Sequence, residues 1–155
     1  MMYIGIDPGV TGAIAFINPE GFSWVEDTPV EKATSGHNYL GASMAALIKS
    51  VERNGIVHAC IEDIVTLPGQ NPAHVAKRGR GLGIWEGILL AEGIPYTIVR
   101  PHIWKKEMGL SSDKSSSRAL AQQLHPDLAA CFARVKDDGR AEAALIADYG
   151  MRKGL

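Results

Sequence analysis

Four carboxylates, Asp7, Glu62, Asp138 and Glu142, carry the chemistry this sequence most clearly permits. Hard divalent cations such as Mg2+ take oxygen ligands, so a protein that holds them must offer clustered acids. Two such ions about 4 Å apart supply what phosphodiester hydrolysis needs at neutral pH, a strong nucleophile and relief of charge on the leaving oxygen. Asp7 ends the apolar run Met2 to Ile6, and Glu62 ends the mostly apolar run Val57 to Ile61. Asp138 and Glu142 are four residues apart and share one face of any helix that contains both. Singly, each acid has a plainer reading. Asp7 could open a turn, Asp138 could cap a helix, Glu62 could be an exposed strand-end charge, and Glu142 could pair with Arg140 or Lys136.

The elements around these acids read as an α/β chain. Asp7-Pro8-Gly9 suits a type II turn, with Pro and Gly at its centre. Ala13 to Ile17 reads as a second strand and Phe22 to Val25 as a third, an antiparallel meander. Apolar residues at Leu40, Met44, Leu47, Ile48 and Val51 give a helical period from about Asn38 to Arg53, which Gly55 stops. The strand ending at Glu62 then returns parallel to the first, which puts both acids at one sheet edge, where α/β ligand sites tend to form. Further on come a long helix from about Ala73 to Glu92, a short strand Tyr96 to Val99, and a brief helix from Pro101 to about Met108. After these, Ser111 to Ser117 reads as polar and flexible, Arg118 to Leu124 as helical, and Gly139 to Tyr149 as the last helix.

Composition sets the frame. The chain has 155 residues, 46% of them hydrophobic and 21% charged, which suits one core and is too short for a two-lobed fold, so residues 1–155 read as a single domain. No run approaches roughly 18 apolar residues and no leader pattern opens the chain, which predicts a cytoplasmic protein without a membrane partner. Cys60 and Cys131 read as buried free thiols. Residues 1–70 hold 3 Lys/Arg against 8 Asp/Glu, and residues 71–155 hold 13 against 9. The basic surface therefore belongs to the second half, despite a net charge of −1. The five histidines lack the paired spacing of a zinc site, and His102 beside Trp104-Lys105 is the one nearest to chemistry.

Taken with the residues around each acid, the order of the four resembles a known family. Ile4-Gly5-Ile6-Asp7-Pro8-Gly9-Val10-Thr11-Gly12 is similar to the first signature of RuvC-type Holliday-junction resolvases, and Ile61-Glu62 to their second-strand acid. Lys136-Asp137-Asp138-Gly139-Arg140-Ala141-Glu142-Ala143 resembles their C-terminal acidic helix, in the form of the phage-type and prophage-type members. The resemblance implies a ribonuclease-H-like fold with a mixed five-stranded sheet flanked by helices. It also implies a homodimer and a hydrolase needing two Mg2+ or Mn2+ ions, held by Asp7, Glu62, Asp138 and Glu142, that nicks four-way DNA junctions. The four-residue spacing of the last two acids departs from the cellular bacterial form, where three is usual. Asp63 follows Glu62 but points to the opposite face of a continuing strand, and Asp137 could stand in for Asp138.

A nuclease of this kind needs cations around its acids, with binding that falls steeply with salt. Lys77, Arg78, Arg80, Lys105, Lys106 and Arg140 are the candidates for DNA contact; Lys105 also matches the family's lysine beside the catalytic site. Lys106, Lys114 and Arg118 read more simply as solvated. Gly79, Gly83 and Gly87 recur every four residues in the long helix, where each costs roughly 1 kcal/mol relative to alanine. Such a stripe admits a close backbone, either the helix's own sheet or a two-fold partner's helix. Leu82 and Trp85 complete the expected dimer interface. Competing classes are a phosphate-binding ATPase of the sugar-kinase type, which would need a second lobe, a junction-binding module without cleavage, and ribonuclease-H-like nucleases acting on forks, flaps or RNA/DNA hybrid.

Overall fold

The computed structural model describes residues 1–51, 55–113 and 115–155. Strands β1 (Met2–Asp7), β2 (Ala13–Ile17) and β3 (Trp24–Asp27) form the expected antiparallel meander, and β6 (Ile56–Glu62) and β7 (Tyr96–Val99) extend it in parallel. The order is β3-β2-β1-β6-β7, a mixed five-stranded sheet. A small hairpin that periodicity did not suggest, β4 (Val30–Lys32) with β5 (His37–Tyr39), stands apart from it. Its strands are three residues long, too short to show a pattern.

Strand alternation divides the core in two. Met2, Ile4 and Ile6 of β1, with Ala59 and Ile61 of β6, pack against helices α1 (Gly41–Lys49) and α2 (Pro72–Ala91). Tyr3 and Cys60 belong to the other layer, under helices α3 (Pro101–Glu107), α4 (Ser115–Leu124) and α5 (Asp138–Lys153). Helix α5 can lie close on β1 because Gly5 has no side chain; a Cβ there would strike the Ala143 carbonyl. Ala141, Ala143, Ala144 and Ala147 keep the buried helix face shallow. At the other end, Gly139 packs on Thr11 and Gly12, which fixes the first turn of α5 against the β1–β2 connection.

Several expectations change. Gly9 does not have positive φ, so Asp7-Pro8-Gly9 is not a type II turn. The reversal is made four residues long, with the Gly12 N–H donating to the Gly9 carbonyl at 2.9 Å. Helix α1 starts at Gly41 because His37 to Tyr39 pair as a strand; its expected end at Arg53 lies outside the described residues, as does Lys114. Ser115 to Ser117 are helical, with Asp113 accepting from the Ser115 N–H at 2.9 Å ahead of the first turn. Irregular 3-10 turns over Pro126–Phe132 and Val135–Asp137 fill a stretch without periodicity. Cys60 is buried, as expected, but Cys131 is only partly so.

The long helix corrects the interface reading. Gly81, Trp85 and Leu89 form its buried face, and Trp85 is 0% exposed within the protein's own core. It therefore cannot be a subunit contact. Gly79, Gly83 and Gly87 lie on the opposite side, where a Cβ at any of them would meet nothing within 4 Å. The stripe does not serve packing on the sheet, and Leu82 is half-buried at its margin.

Candidate active site

The parallel register of β1 and β6 sets Ile6 beside Ile61, so the next residues, Asp7 and Glu62, are neighbours at the sheet's C-terminal edge. Both fall on the α5 face by alternation. Asp63 continues the ladder through its N–H to the Val99 carbonyl at 2.8 Å, and it does not line the cavity that forms above the acids. This cavity, about 710 Å³, is lined by Asp7, Glu62, Asp138 and Glu142 together, with Lys77, Arg78 and Lys105 among its cations.

Each acid has a distinct environment. Glu62 is 5% exposed and accepts from the Trp104 indole N–H at 3.0 Å. Burial, then the charges of Asp7 and Glu142, push its carboxyl up to about 7. Asp7 is pushed up to about 6, again by burial first and by Glu142 second; Gly9, Arg78 and Lys105 offset only part. Glu142 accepts from Lys105 Nζ at 2.8 Å, and the same ammonium lies 4.0 Å from Glu62. Burial alone would lower the Lys105 ammonium, but the hydrogen bond and charge of Glu142, with Glu62 and Asp7, raise it on balance. Asp138 lies 2.8 Å from Arg118 Nε, close in charge but off the hydrogen-bonding axis.

Several plainer readings fail on this geometry. The residue that precedes α5 is Asp137, so Asp138 is not its cap, and Glu142 pairs with Lys105 and not with Arg140 or Lys136. Asp137 cannot stand in for Asp138. It is 1% exposed and accepts from the Arg134 backbone and guanidinium. Arg140 is committed to Asp27 on β3, with bonds of 2.7 and 2.8 Å, and does not line the cavity. It ties α5 to the sheet outside the cavity. Arg80 and Lys106 are exposed and away from the cavity wall, and His74 lines it where His102 does not.

The donor set fits hard divalent cations: four oxygen-bearing acids surround one space, and in Asp7 and Glu62 burial, with Glu142 nearby, makes negative charge costly. Among the described residues, no three metal-binding side chains converge on a single point. Glu142 is paired with Lys105 and Asp138 lies beside Arg118, each at 2.8 Å. Arg118 and Trp104 are site residues that the sequence reading missed. Trp104 and Lys105 are adjacent on α3, about 100° apart, so one faces Glu62 and the other Glu142. Tyr39 was missed too. Its hydroxyl sits between the carbonyls of Pro8 at 3.2 Å and Lys77 at 3.0 Å, tying the turn after Asp7 to α2.

The fold is ribonuclease-H-like, a mixed five-stranded sheet with acids on two neighbouring parallel strands and on the helix that crosses them. Among solved structures, the chain is similar to Thermus thermophilus RuvC in complex with Holliday junction substrate, at 16% identity and TM-score 0.67, covering 99% of this chain and 96% of that one. It is likewise similar to a second Thermus thermophilus RuvC structure, at 16% identity and TM-score 0.64, covering 99% and 97%. No protein-family model and no curated protein matches the sequence.

Proposed function

We propose that this chain is a divalent-metal-dependent endonuclease that resolves four-way DNA junctions by paired, symmetric nicks. The observation that carries the reading is the meeting of Asp7, Glu62, Asp138 and Glu142 around one cavity rimmed by Lys77, Arg78 and Lys105. Asp7, Glu62, Asp138 and Glu142 would hold two Mg2+ or Mn2+ ions, which when bound supply nucleophile activation and charge relief at the leaving oxygen. Trp104 orients Glu62 through its indole N–H. Lys105 neutralises Glu142 at 2.8 Å and stands where developing negative charge on a phosphate would be met. Lys77 and Arg78 hold the backbone that enters the cavity, at a cost in affinity as salt rises.

Two copies act together in this reading, each cutting one of two symmetry-related strands. The open glycine face of α2, Gly79, Gly83 and Gly87 with Leu82, supports a close two-fold contact there. No helix among the described residues is long and apolar enough to cross a membrane. Residues 1–155 act as one nuclease unit.

The test is incubation of purified protein with labelled four-way junction, linear duplex and RNA/DNA hybrid, with and without Mg2+. Junction cleavage at symmetric positions, dependent on Mg2+, is the expected result. Preferential cutting of the hybrid would reassign the chain to another branch of the fold, and ATP hydrolysis without DNA would reassign it to phosphate-binding ATPases.

A further inference from the structure

Among the side chains that line the carboxylate cavity, Val135 is 74% exposed. Aliphatic side chains are mostly withdrawn from water, and this one contributes nothing to the core. Yet the turn that carries it is firmly built. Buried Asp137 accepts from the Arg134 N–H at 2.9 Å, from Arg134 Nε at 3.0 Å and from its Nη2 at 2.8 Å. Arg140 reaches Asp137 at 3.9 Å while it grips Asp27. On one side the chain leaves fully buried Phe132, and on the other it enters α5, whose first turn holds Gly139 packed against Thr11 and Gly12. Between these anchors only residues 133–136 are exposed.

The result is a fixed apolar tip with an exposed cation, Lys136, beside it at the mouth of an acidic cavity. Lys77 and Arg78 contribute to the same cavity lining. A phosphate backbone accounts for the cations but not for the valine. The surface of regular duplex offers phosphates and sugars, whereas a strand unstacked at a branch also offers the apolar face of a base. Resting on the nuclease reading above, we infer that Val135 and Lys136 are strand-positioning residues: Val135 packs on the unstacked nucleotide beside the scissile phosphate, and Lys136 holds a neighbouring phosphate. This pair thereby favours branched over regular DNA and fixes which phosphate enters the cavity.

Wild type, Val135→Ala and Lys136→Ala are to be compared on a four-way junction carrying 2-aminopurine at nucleotides flanking the branch, whose fluorescence reports unstacking. Both side chains are exposed, so melting temperatures should be unchanged. Val135→Ala should cut about tenfold more slowly at saturating junction, spread its cuts over adjacent phosphates, and return the fluorescence beside the cut toward the stacked level, a loss in the range expected for two methyl groups no longer buried against a base. Binding to linear duplex should not change. Lys136→Ala should weaken junction binding and reduce the salt slope by about one. Unaltered rate, cut positions and fluorescence in Val135→Ala would overturn this inference while leaving the nuclease reading intact. A change in the sedimentation of Val135→Ala without DNA would also overturn it, by assigning the tip to a subunit contact. A wild type that neither binds nor cuts the junction in Mg2+ would overturn both.

Discussion

Glu62→Gln should stabilise the metal-free protein at about pH 8 and leave it nearly unchanged at about pH 4. Glutamine fills the same volume and keeps an oxygen for the Trp104 N–H at 3.0 Å, so packing and that hydrogen bond survive. What goes is a buried charge. The carboxyl is pushed from 4.5 up to about 7, which means that the folded state holds its proton more tightly than the unfolded chain does. Below 4.5 both states are protonated and the charge costs nothing; stability then falls as pH rises through the window to about 7 and stays reduced above it. At 1.36 kcal/mol per tenfold change in proton affinity, the full displacement is equivalent to about 3 kcal/mol, an upper bound because Asp7 shares the same repulsion. For a chain of this size that upper bound is a rise in Tm of about 9 °C. Thermal melts of both proteins in chelator across this pH range measure it. Excess Mg2+ should reverse the order, since a ligand that binds the folded wild type stabilises it by mass action and the variant has lost one donor. A variant destabilised at the higher pH, or a difference that persists unchanged at the lower one, would refute the argument that Glu62 is held as a costly charge.

Asp7→Asn, Asp138→Asn and Glu142→Gln should each lower junction cleavage by more than about 100-fold with folding and junction binding retained, whereas Asp63→Asn should cut normally; gel assays of cleavage and of binding separate the two effects. Lys105→Ala should reduce turnover by about 100-fold and binding by far less, and equal losses would make it an ordinary phosphate anchor. Gly83→Leu places a large side chain on the open face of α2, so it should fold as well as wild type but sediment as a monomer or yield single nicks in place of paired ones. Wild type that remains a 16.6 kDa monomer when bound to junction DNA would leave the dimer without support.

Much of this arrangement was present in the residue pattern. Alternation in Met2 to Asp7 and Ala59 to Glu62, with a helix between two apolar runs, is enough to place Asp7 and Glu62 side by side and Asp63 behind them, because side-chain direction in a strand depends only on position parity. The i, i+4 spacing of Asp138 and Glu142 set them on one helix face for a similarly local reason. Other features depended on residues distant in the chain. Nothing near Arg140 marks its bond to Asp27, 113 residues away, and nothing near Trp104 marks its bond to Glu62, 42 residues away. The glycines of α2 could be seen as a stripe, but which side met the sheet depended on Gly81 and Trp85 docking beside Pro8 and Tyr39. Local periodicity determines which residues share a face; what that face meets is decided only when the elements pack, since long-range contacts have no short-range signature.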